Sequence, residues 1–289
     1  MAVEPFNAVW FAFLGTMALF GVALHLALRH RSRAIQVKVC VALAAATVVL
    51  YTFYTFKSIL NPRMPEVVFW QNLPFHFCNL VAWGLIPAYL MELHPPRAAW
   101  ARRGLNMLRT VCYFPGALAG LLTLTSPVIV YIGHPLCSVE AIGFYGVHSM
   151  NVILGTLLGS LGFIRPTLRG AVASVGYMLA FMVVVVFPLD AVMRATVDPN
   201  VNYFYLFNPE DAEILEMSYA AIGVPVLYMI PLVPVALTGT VGQALLYKLV
   251  SRLARAVSGR SGQDSGPDQD GRGDPGSGGQ QALPTPSRA

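Results

Sequence analysis

The side chains best suited to chemistry fall in two short stretches, LPFHFCN (Leu73 to Asn79) and FYGVHSMN (Phe144 to Asn151). A cysteine thiol, with an ordinary pKa of about 8.5, becomes a strong nucleophile when a neighbouring imidazole accepts its proton. A thiolate attacking an ester carbonyl yields an acyl-thioester, and the imidazole then returns the proton to the leaving group. Within the first stretch, residues i and i+2 of a regular helix face apart, so His76 is expected to point away from Cys78, although Pro74 can loosen that geometry. His148 is the better base for Cys78. Asn151 lies one turn from His148 on the same face and can orient the imidazole or bind substrate, while Asn79 adjoins the cysteine.

The elements that must position these residues are those of a bilayer protein. The 289-residue chain is 56% hydrophobic and 11% charged, with a mean hydropathy of +0.60; soluble domains carry about 25% charged residues. The net charge of +5 therefore says nothing of nucleic acid, and membrane lipids are the expected partners. A membrane helix needs roughly 20 mostly apolar residues, and seven segments qualify, at about 7–28, 39–57, 67–91, 105–125, 139–163, 168–188 and 218–248. The last is long enough to tilt, or to kink at Pro225, Pro231 and Pro234. The expected class is all-α, a polytopic membrane protein of seven transmembrane helices.

Loop charge sets the orientation. Arg29, Arg31, Arg33 and Lys38, then Arg97, Arg102 and Arg103, then Arg165 and Arg169, then Lys248 and Arg252 fall on alternate loops. The sixth loop is acidic, with Asp190, Asp198, Glu210, Asp211, Glu213 and Glu216. Basic residues collect on the cytoplasmic side, giving N-terminus out and C-terminus in, as a multi-pass protein of the cell membrane. The first segment has its basic residues after it, which argues against a cleaved signal. Residues 1–256 form the transmembrane domain; 257–289, rich in Gly, Pro, Ser and Asp, are expected to be a disordered cytoplasmic tail. GTLLG (Gly155 to Gly159) permits close helix packing, expected within the molecule.

Topology adds depth to the two stretches. The third and fifth segments both run from outside to inside, and at 1.5 Å per residue Cys78, His76 and His148 lie roughly 13–17 Å from the outer boundary. No acidic or basic residue lies clearly mid-membrane, Arg109 being near the inner end of the fourth segment, which weighs against proton pumps and many ion-coupled transporters. His25, His30, His94 and His134 fall at helix ends or in loops, where an imidazole reaches the interface.

LPFHFCNLVAW, FYGVHSMNVILG and DPNVNYFYLFNPE (Asp198 to Glu210) together resemble the YwaF-like family of bacterial integral membrane proteins. That family is similar to a eukaryotic transmembrane acyltransferase that moves acyl chains between phospholipids. The resemblance implies a cysteine nucleophile at Cys78 and a histidine partner at His148. In that reading His76, Asn79, Asn151, Asn202 and Tyr203 support the site, and no cofactor or metal is needed. The tyrosines of NVNYFYLFNP fit either an aromatic belt at the outer interface or a lid over the cavity. Two alternatives stay open: a haem- or metal-binding protein using His76 and His148, with Cys78 added for zinc, or a small-solute transporter.

Overall fold

The structure is a computed structural model that describes residues 4, 6–59, 73–125, 135, 137–209 and 213–260. Most of the 257–289 tail lies outside the described residues, as do residues 67–72 of the third expected segment. Among the described residues the architecture is all-helical. Ten α-helices follow in order: α1 Ala8–Leu28, α2 Arg33–Ile59, α3 Phe77–Leu90, α4 Ala99–Val111, α5 Ala117–Thr125, α6 Val139–Ser160, α7 Leu168–Phe181, α8 Phe187–Thr196, α9 Glu213–Ile222 and α10 Leu232–Arg260. The chain divides into two units, Met1–Leu249 and Val250–Ala289, and the site lies in the first.

Among the described residues six helical stretches are long and apolar enough to cross a membrane, and α3, at 14 residues, is a shorter apolar helix. Two of the six are composite. A π-turn at Cys112–Gly116 joins α4 to α5, and another at Met182–Val186 joins α7 to α8. Each adjoins a proline, Pro115 inside the first and Pro188 just after the second. Proline has no N–H to offer the preceding turn, and a widened turn absorbs the defect without ending the helix.

Several boundaries differ from expectation, for identifiable reasons. α2 begins at Arg33 rather than 39, because the Arg33 guanidinium is held by the carbonyls of Leu161 (3.0 Å) and Gly162 (3.2 Å) and lies 4.2 Å above the Phe163 ring. The span expected at 168–188 runs on to Thr196, which moves Asp190 out of the acidic loop and into α8, where its side chain is buried although most of the helix is exposed. The span expected at 218–248 is interrupted: α9 stops at Ile222, and α10 starts only after the Gly223–Pro231 segment. Arg109 is 5% exposed, donating to the Ala88 carbonyl (2.7 Å) and pairing with Glu92 (2.8 Å).

α6 is the central helix. Two thirds of its apolar window is buried, against 6% for α1, and it packs on α1, α2, α3 and α5. Its glycines allow this. A Cβ on Gly155 would lie 2.8 Å from the Cys112 carbonyl, and one on Gly159 would lie 2.5 Å from the Tyr113 ring. The GTLLG stretch is thus filled from within the molecule.

Candidate active site

The first turn of α3 carries the first stretch. His76 is the N-cap, with extended backbone (φ −65°, ψ 144°) and no capping hydrogen bond from its side chain. The helix therefore starts at Phe77, because the chain through Pro74 is folded by a tight Phe75 N–H to Leu73 carbonyl bond instead. The expectation that His76 sits in a regular helix facing away from Cys78 is corrected: it lies outside the helix. Backbone bonding in this turn begins with the N–H groups of Asn79 and Leu80, both on the His76 carbonyl.

His76, Cys78 and Asn79 line one cavity of about 450 Å³ together with His148 from α6, within the size range of small-molecule sites. Thr123 of α5 and Tyr54 of α2 complete its polar wall, and Met178, Met182, Leu215 and Met229 line it with apolar surface. The two stretches that sequence spacing singled out therefore meet. Thr123 was not singled out, since a threonine in an apolar span is unremarkable in sequence; here it lines the same cavity as Cys78, its hydroxyl donating to the Ala119 carbonyl at 2.9 Å.

α6 prepares its imidazole from within. His148 Nδ1 lies 2.7 Å from the Phe144 carbonyl one turn earlier. A carbonyl only accepts, so Nδ1 carries the proton and Nε2 of the neutral ring keeps its lone pair. Asn151, fully buried, does not line the cavity; its Nδ2 donates to the Cys78 carbonyl at 2.8 Å. It ties α3 to α6 at the level of both site residues. Gly120 brings α5 equally close, since a Cβ there would lie 3.0 Å from the His148 carbonyl.

The segment after α8 closes another side. Phe204 and Tyr205 line the cavity, and both have φ of +58°, a left-handed conformation that costs a bulky residue about 1–3 kcal/mol. The His76 ring packs against Tyr203 and Tyr205 at centroid distances of 5.9 and 5.3 Å, and Phe77 against Phe204 at 5.5 Å. Tyr203 and Asn202 are buried behind this wall and do not line the cavity. The aromatic-belt expectation fails for Tyr203, whose phenol is pushed up to about 12 by burial and by Asp190. Asn202 accepts from the N–H of Phe207 (2.8 Å) and donates to the Asn208 carbonyl (2.8 Å), folding the strap on itself.

Among the described residues no three or more His, Cys, Asp or Glu side chains gather as a metal site. The fold and this cavity define a class: a polytopic helical membrane protein with a cysteine, two histidines and an asparagine lining one cavity. The chain matches the TMEM164 family over residues 4–241 and belongs to it; that match does not carry the YwaF name. No curated protein and no solved structure matches the chain.

Proposed function

We propose that this protein is an integral membrane acyltransferase that moves fatty acyl chains between phospholipids through a thioester on Cys78. The observation that carries the reading is the shared cavity: Cys78 and His148, far apart in the chain, both line it, and the imidazole is held in the tautomer a base requires. Nε2 of His148 takes the thiol proton. The thiolate sulfur attacks the ester carbonyl carbon of a donor phospholipid, and the tetrahedral adduct expels the glycerol oxygen, which leaves as a lysophospholipid with the proton from His148. An acceptor lysophospholipid hydroxyl then gives its proton to Nε2 and attacks the thioester carbon, and Cys78 departs and regains its proton. In this reading the N–H groups of Phe77 and Cys78, which open α3, and the side-chain amide of Asn79 donate to the carbonyl oxygen as it gains charge.

The apolar methionine-lined side suits an acyl chain, since methionine adapts to irregular apolar shapes. The reading extends to topology: α3 supplies a seventh crossing in the cell membrane, with the N-terminus outside and the C-terminus inside. The test uses protein in nanodiscs and a phospholipid with an alkyne-tagged acyl chain. A tagged adduct on Cys78, cleaved by neutral hydroxylamine and absent from C78A, is the expected result. Equal labelling of C78A would remove the proposal.

A further inference from the structure

Asp190 is the least expected buried group in the molecule. It sits in α8 with no solvent exposure. Its Oδ1 accepts the Tyr203 N–H at 3.0 Å, and its Oδ2 meets no donor among the described residues. A buried carboxylate with one hydrogen bond is costly, and in a membrane helix such a residue marks function.

Arg194 stands one turn further along α8, the spacing at which the two charges could pair. They do not pair. Arg194 donates instead to the Val201 carbonyl at 2.8 Å, and its guanidinium lies 4.6 Å above the Phe207 ring. The acid and the base of α8 thus grip the same short run of backbone, one at the Val201 carbonyl and one at the Tyr203 N–H. The next two residues, Phe204 and Tyr205, take left-handed backbone and form cavity wall. Beyond them, the Tyr205 carbonyl accepts from the Tyr228 hydroxyl and the Leu206 carbonyl from the Val226 N–H. The strap is anchored on both sides of its strained pair.

We infer that Asp190 and Arg194 are positioning residues that hold the 201–206 strap as a wall of the Cys78–His148 cavity and so govern access of lipid to the thiol. Neither residue touches the cavity; both act through Phe204 and Tyr205. The role in lipid access rests on the acyltransferase reading, whereas the role as the strap's anchor does not.

The experiment follows alkylation of Cys78 by N-ethylmaleimide in nanodiscs, read by mass spectrometry of the Cys78 peptide, beside acyl transfer by the same samples. D190A is expected to raise the Cys78 alkylation rate roughly tenfold, the change in opening that loss of a hydrogen bond to a charged group produces, and to lower transfer. D190N keeps an acceptor for the Tyr203 N–H and is expected to return alkylation toward the parent rate. R194M breaks the other grip and is expected to act as D190A does, which keeps the test decisive if D190A fails to fold. Parent-like alkylation in D190A, or in R194M where D190A fails to fold, would overturn the inference. Faster alkylation without acyl transfer by the parent on any phospholipid would uphold the strap and remove the acyltransferase reading.

Discussion

Replacing Asn151 by leucine removes the one side-chain bond that reaches from α6 to the backbone of Cys78. The volume is nearly conserved, so the change is in hydrogen bonding. The Cys78 carbonyl keeps its place in the helical ladder of α3, so its second lone pair is what goes unfilled. Net loss of a neutral hydrogen bond is about 0.5–1.5 kcal/mol, and an incompletely satisfied buried acceptor places N151L near the upper end of that range. The melting temperature should fall by only a few degrees, at about 2–4 °C per kcal/mol. Catalysis should fall far more, because a displacement of about 1 Å at a reacting group can lower rate by about 100-fold. N151D should be worse than N151L, since it sets an acceptor against the Cys78 carbonyl. The assay pairs a thermal melt in detergent with transfer of a tagged acyl chain, each per mole of folded protein. A melting temperature that drops while N151L transfers at the parent rate would show that the bond holds the helices together without placing the thiol.

Other outcomes follow from the same geometry. H148A should lower thioester formation by about 10²- to 10⁴-fold, the usual contribution of a general base, with Cys78 still open to maleimide; a loss under tenfold would mean another group takes the proton. G143A would place a Cβ 2.5 Å from the Tyr54 ring, so the cavity wall must shift, at a cost of about 1–3 kcal/mol, and transfer should fall with it. R109M leaves the Ala88 carbonyl without its side-chain donor and Glu92 with only the longer contact to Arg33 (3.5 Å), and should lower the melting temperature, with transfer per folded molecule unchanged, because Arg109 lies away from the cavity; a change in transfer would tie that ion pair to the site.

Hydropathy made most of the helices legible, because a span needs little beyond length and apolar composition. That Cys78 and His148 line one cavity was legible for a less direct reason: loop charge suggested two parallel segments, with both residues at similar depth. His76 was misplaced because the sequence does not show that Pro74 delays the start of α3 until Phe77. Asp190 was read as a loop residue because acidic residues commonly end a span, whereas here the helix runs past it and the strap supplies its donor. Tyr203 looked like an interfacial aromatic, since sequence cannot distinguish a tyrosine facing headgroups from one packed behind Phe204. For Asp190 and Tyr203 the missing information was a contact distant in sequence, and for His76 it was a local turn.

The π-turn at Met182–Val186 has a consequence for the phase of everything after it. Such a turn holds one residue more than the α-turn it replaces, so downstream side chains are advanced by about 100° around the axis. A helical wheel drawn continuously from Leu168 to Thr196 would therefore put Asp190 and Arg194 on the wrong sector. Removing a single lipid-facing residue such as Val184, which is 70% exposed, would restore unbroken periodicity and swing both charged groups off the strap together. The inward face of α8 is thus encoded by residue count as much as by residue identity, and a one-residue deletion could undo it while leaving every gripping side chain intact.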